Sequence, residues 1–235
     1  MTPDEIMQQL QQFGNESTKK VLIKHGAREP FFGVKIEDLK KIQKKIKSDY
    51  QLSLELYNTG NSDAMYLAGL IAEPKKMTRA DLNNWVEKAY WYMISEFTVP
   101  WVTSESPFGT EIALEWIESD KENIASSGWS TLASIAAIKT DDEIDTVLYN
   151  GLLEIVTKTI HSERNRVRHT MNNFVIAVGG YCTRLSVDAI RAASTIGTVK
   201  VDMGGTACKV PLATEYIKKM HDGGRLGKKR KTAFC

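Results

Sequence analysis

Between residues 111 and 181 the chain repeats one pattern of apolar and polar positions. Leu114, Glu115, Trp116 and Ile117 recur as Leu153, Glu154, Ile155 and Val156. Each set meets a polar break, Asp120-Lys121-Glu122 or His161-Ser162-Glu163, and then a second apolar stretch containing Ile135-Ala136 or Ile176-Ala177. The first stretches are offset by 39 residues and the second by 41, close to the ~40-residue period of HEAT- or armadillo-like helical hairpins. Such a hairpin cannot bury its apolar face alone, so hairpins stack and leave a concave surface lined by second helices. The pattern predicts an all-α solenoid, a right-handed superhelix using residues 1–235 as one domain, with function on the concave face. An ordinary helical bundle is the alternative.

The flanking pattern fits. Thr2-Pro3-Asp4-Glu5 reads as a capping box opening a helix that ends near Gly14, and another helix should span 16–25. Arg28-Glu29-Pro30 breaks the pattern. Ile36, Leu39, Ile42 and Ile46 then share one helix face, with Lys40, Lys41, Lys44, Lys45 and Lys47 on the other. A hairpin is expected over 50–57 and 63–72 across the turn Asn58-Thr59-Gly60-Asn61. Thr78 should cap a long helix bearing Leu82, Trp85, Val86, Ala89 and Met93, with most neighbouring aromatics in the core. Pro100 should break or kink the next helical segment and leave Trp101 near the mouth of a groove. Helices are expected over 186–194 and 211–220. Between them, residues 197–211 form a loop containing Gly204-Gly205, read as packing over the open end of the solenoid; a phosphate cradle using Thr206 and Lys209 is the alternative.

Composition narrows the class. Of 235 residues, 42% are hydrophobic and 26% charged, enough for a sizeable core. With no apolar run of ~18 residues and no basic-then-apolar N-terminal pattern, a cytoplasmic protein without membrane contact is expected. Cys182, Cys208 and Cys235 encode no disulfide framework, and His25, His161, His169 and His221 lack metal-ligand spacing. No cofactor motif occurs. The net charge of +2 is uneven: acids crowd 105–122, while Arg225, Lys228, Lys229, Arg230 and Lys231 make a basic tail over 224–235, expected to be flexible. That asymmetry suggests an anionic partner. On these grounds alone the default is a protein-interaction scaffold.

Phe32-Gly33-Val34 followed by Leu39-Lys40-Lys41-Ile42 resembles the N-terminal signature of the AlkD-like DNA alkylation repair family, and the likeness extends more weakly over residues 18–181. The resemblance implies a HEAT-like superhelix whose basic concave face holds duplex DNA. Active members excise N3- and N7-alkylated purines, for which a carboxylate stabilises the developing sugar oxocarbenium. Where those members carry Trp-Asp-x-Val-Asp, this chain has Phe97-Thr98-Val99-Pro100-Trp101, with no aspartate. The family tryptophan of the next second helix is kept as Trp129, but the arginine after it is Leu132; in the last repeat the tryptophan falls on Asn173, or Phe174 if the register slips by one. The expected function is therefore recognition of damaged or unusual duplex DNA by a monomer, with excision weak or lost. Arg164, Arg166, Arg168 and His169, at the start of a second helix, are expected to meet phosphates, together with Asn173, Trp101, Trp129 and Lys209. Two alternatives stand: an active glycosylase using Glu96 or Glu105 as a displaced carboxylate, and a scaffold whose concave face takes a protein partner.

Overall fold

The computed structural model describes residues 1–234, and every regular element among them is helical. Local signals set the first elements. Helix α1 (Pro3–Phe13) opens with a reciprocal capping box between Thr2 and Glu5, and α2 (Glu16–Lys24) is capped by the Asn15 side chain, contacts that contribute ~1 kcal/mol each. Helix α3 (Ile36–Ile46) buries Leu39 and Ile42 and leaves Lys41, Lys44 and Lys45 exposed. Between α2 and α3, Phe32-Gly33-Val34 wraps a carboxylate: the three N–H groups donate to Asp63 at 2.6, 3.0 and 3.1 Å. Gly33 has φ +77°, and a Cβ there would lie 2.8 Å from the Lys19 backbone, so only glycine permits the turn. Burial pushes the Asp63 carboxyl up from its ordinary value, against the opposing pull of those N–H donors.

Five hairpins come next. They pair α4 (Tyr50–Asn58) with α5 (Ser62–Ile71), α6 (Arg79–Lys88) with α7 (Val99–Glu105), α8 (Gly109–Ile117) with α9 (Glu122–Ile138), α10 (Thr146–Thr159) with α11 (Asn165–Tyr181), and α12 (Ser186–Ile196) with α13 (Ala213–Asp222). The second members touch in the order α5, α7, α9, α11, α13 and form an inner row, against which the first members pack. The α8–α9 crossing depends on Gly128, where a Cβ would meet the Ala113 carbonyl and Ile117 at 2.8 Å.

Two local expectations are corrected. Helix α6 stops at Lys88 instead of continuing to Met93, because Ala89 (ψ 77°) leaves the helical region. Pro100 does not break the helix in which it lies. It falls in the first turn of α7, just after a π-turn over Ile94–Thr98 in which the Val99 N–H reaches the Ile94 carbonyl, so the missing proline N–H costs no helical bond.

The basic tail also departs from expectation. Residues 225–234 run along the C-terminal ends of the inner row. The Gly227 N–H donates to the Gly180 carbonyl of α11 at 3.0 Å, and the Arg230 N–H to the Ala137 carbonyl of α9 at 2.8 Å. Lys229 Nζ reaches the Ala136 carbonyl and the Asp141 carboxylate, each at 3.0 Å, while the Ala233 N–H donates to Glu105 Oε1 at 2.6 Å. The last carbonyls of a helix lack intrahelical partners and gather partial negative charge, which a lysine and backbone N–H groups satisfy. Ala233 is buried in the N-terminal core cluster, and Phe234 packs on Trp101. Trypsin should therefore cut poorly between Lys228 and Lys231, since cleavage requires the segment to detach first. Mass spectrometry of a timed digest, compared with an Ala233→Asp variant, checks this; rapid trimming of the unmodified chain at those positions would show that the strap is not held.

Candidate nucleic-acid interface

The N-terminal ends of the inner helices lie along the other rim and are stitched by side chains. Asn123 Nδ2 donates to the Val86 and Ala89 carbonyls at 3.0 and 3.3 Å, and Arg164 Nη1 donates to the Ser119 carbonyl at 2.8 Å. Arg166 crosses from α11 to the π-turn before α7. Its Nε and Nη2 donate to Glu96 Oε1 and Oε2 at 2.6 and 2.5 Å, and its guanidinium lies 4.6 Å from the centre of the Tyr92 ring. The Glu96 side chain is 2% exposed and that of Arg166 18%. Burial works against the arginine's charge, but the hydrogen bonds to Glu96 together with the nearby negative charge hold its pKa above the ordinary value. His169 Nδ1 sits 3.5 Å from the same carboxylate and 3.3 Å from Asn173 Nδ2. Tyr92 in turn bonds His25 Nδ1 through its hydroxyl at 3.1 Å.

This geometry redistributes the expected site. Arg166 is consumed internally and Arg164 holds the preceding turn, so neither fans outward, because each has a closer acceptor within the protein. Trp129 is buried edge-to-face on Phe174, and Trp101 is buried edge-to-face on Tyr66 beside the strap; both belong to the core rather than to a groove wall. Glu105 lies at the C-terminal end of α7, bound to Ala233, away from Glu96. His169 and Asn173 stay beside the Glu96–Arg166 pair, and Arg168 and Lys209 come together. Tyr92, one of the aromatics following α6, is half-buried beneath Arg166.

The 197–211 loop rises between α12 and α13 and folds back over the N-terminus of α11. Asn165 clamps its base: Nδ2 donates to the Asp202 carbonyl at 2.8 Å and Oδ1 accepts the Asp202 N–H at 2.7 Å. Met203 Sδ lies 3.8 Å from Arg166 Nη1. Beneath the loop is a cavity of about 440 Å³ whose lining includes Arg168, Lys200 and Lys209 with Asp202 as the sole acid. Arg168 Nε is buried without a hydrogen-bond partner. A similar cleft of about 460 Å³ between α10 and α12 carries Glu154, Lys158, Asp188 and Arg191, but there Lys158 pairs with Glu154 and Arg191 with Asp188. The cavity under the loop, by contrast, is lined by three cationic side chains and one acid. Lys200 escaped the sequence reading because nothing local distinguishes it from an ordinary surface lysine; its meaning comes from Arg168, on another element.

Stacked helical hairpins, with cationic side chains gathered beside the N-terminus of α11, define an α-solenoid. The chain belongs to the DNA alkylation repair enzyme family, whose model matches residues 6–208. It is 33% identical over 225 residues to an uncharacterized protein of Listeria innocua and 34% identical to one of Listeria monocytogenes, in each case covering 93% of this chain and 97% of the relative. A solved structure, described as a new family of proteins related to the HEAT-like repeat DNA glycosylases with affinity for branched DNA structures, matches with a TM-score of 0.92 and 40% identity over all of both chains. The fold is therefore the HEAT-like helical repeat. No described helix is long and apolar enough to cross a membrane.

Proposed function

We propose that this protein is a DNA-binding member of its family that recognises branched or otherwise unusual duplex DNA and does not excise bases. The observation that carries the reading is the cavity where Arg168, Lys200 and Lys209 converge without an ion-pair partner among the described residues while Arg166, beside it, is neutralised. Three such cations beside the N-terminal end of α11 suit a phosphate-rich polymer. The similarity to a protein with affinity for branched DNA supports the choice of DNA, and the chain is read as acting as one unit and as a monomer.

Fluorescence anisotropy against a labelled four-way junction and a linear duplex of equal length tests this. If the three cations neutralise phosphates, replacing Arg168, Lys200 and Lys209 together by alanine should flatten the slope of log affinity against log salt by roughly 2 to 3 units, at ~0.9 per phosphate contact. An unchanged slope removes this cavity from the interface. Equal affinity for junction and duplex in the unmodified protein removes the preference for branched DNA.

A further inference from the structure

Helix α2 is poorly covered. None of its residues is buried; Val21 and Ile23 are 51% and 53% exposed, with Lys20 and Lys24 exposed beside them. Facing it is the tip of the 197–211 loop. Val21, Lys24 and His25 on one side, with Gly205, Thr206, Ala207 and Cys208 on the other, border an open cleft of about 440 Å³, within the range of roughly 300 to 1,000 Å³ of ligand sites. Its apolar walls are small or aliphatic, and a lysine stands at its edge. Cys208 borders both this slot and the cationic cavity under Arg168, so the two lie on either side of one residue.

We infer that the slot between α2 and the loop tip receives an unpaired nucleobase from the branch point of the DNA, its flanking phosphates meeting Lys20 and Lys24 on one side and Lys209 on the other. This rests on the DNA-binding reading and assigns a site to its selectivity. A flat apolar base fits between Val21 and Ala207, whereas a paired base in a continuous stack has no edge or face free to enter. His25 contributes a ring nitrogen: its Nδ1 is taken by the Tyr92 hydroxyl, which leaves Nε2 for a base edge. Linear duplex would engage only the cations, and a branched molecule would engage the cations and the slot together.

Cys208, an exposed free thiol, makes the slot directly addressable. A four-way junction carrying one unpaired cytosine with a disulfide-activated tether at the branch point should cross-link to Cys208, identified by peptide mapping. The reaction should run at least about tenfold faster than with the same cytosine paired in a linear duplex, the scale set by one stacked base. Ala207→Trp, which fills the slot without removing a cation, should lower the junction-over-duplex preference by roughly tenfold. Anisotropy on the same samples separates the two levels of inference. Stable complexes with an intact salt slope, but cross-linking no faster on the junction or a preference unchanged in Ala207→Trp, overturn the slot alone. Absence of any complex with either DNA overturns the slot and the DNA-binding reading together.

Discussion

Incubation of alkylated duplex DNA with excess protein is expected to release no 3-methyladenine or 7-methylguanine above the spontaneous background. Glycosidic cleavage of an alkylated purine needs a carboxylate against the developing oxocarbenium, and one preorganised electrostatic group is worth about 10² to 10³ in rate. At the positions that resemble the family's acidic stretch, Thr98 is fully buried against Gly69 of α5 and Trp101 is buried in the core. Neither carries charge. Glu96 is the nearest carboxylate, but both its oxygens accept from Arg166 and its side chain is 2% exposed, so its charge is already spent within the protein. Glu105 lies nine residues further along the chain, roughly 13 Å at ~1.5 Å per helical residue, and its Oε1 accepts the Ala233 N–H. Single-turnover assays decide the matter: efficient purine release that disappears in Glu96→Gln would falsify the view that excision is lost.

The second large effect is on stability. Arg166→Ala should lower the unfolding free energy by about 3 kcal/mol, since removing one partner of a buried ion pair leaves the other charge desolvated and unpaired, at a cost of ~3 to 5 kcal/mol. The low end is taken because Arg166 keeps 18% of its side-chain surface. For a chain of this size each kcal/mol shifts the melting temperature by ~2 to 4 °C, so a fall of roughly 6 to 12 °C is expected. Combining Arg166→Met with Glu96→Gln should recover most of it, because no charge is then stranded. Thermal melts of Arg166→Met, Glu96→Gln and their double variant complete the cycle. A double variant as unstable as the sum of the singles would mean the pair does not act as a unit.

Much of the fold could be read because its determinants are close in sequence. The capping boxes of α1 and α6, the glycine-containing turn before α5 and the repeat of apolar positions between α8–α9 and α10–α11 all act over a few residues. The site was less legible because its contacts are distant. Glu96 and Arg166 are 70 residues apart, and a row of arginines at a helix start looks the same whether it faces phosphate or an internal carboxylate. Trp129 sits on an inner helix with neighbours on several sides, where periodicity does not say which face is open. The Phe32-Gly33-Val34 signature was visible as a motif, but its work of enclosing Asp63 depends on a residue about 30 positions on. The tail misled by composition: strings of lysine and arginine are usually hydrated, whereas here one lysine and the backbone finish the ends of helices.

That strap has a consequence for how the molecule is made. In a solenoid whose repeats touch only their neighbours, each repeat can consolidate as it leaves the ribosome. Here Ala233, synthesised 128 residues after its partner Glu105, completes a core cluster otherwise built from residues 6–124. At ~5 to 20 residues per second, the first half of the protein waits roughly 6 to 26 s with that cleft open, its aromatic wall around Trp101 bare to chaperones. The earliest part to be translated is thus among the last to be sealed.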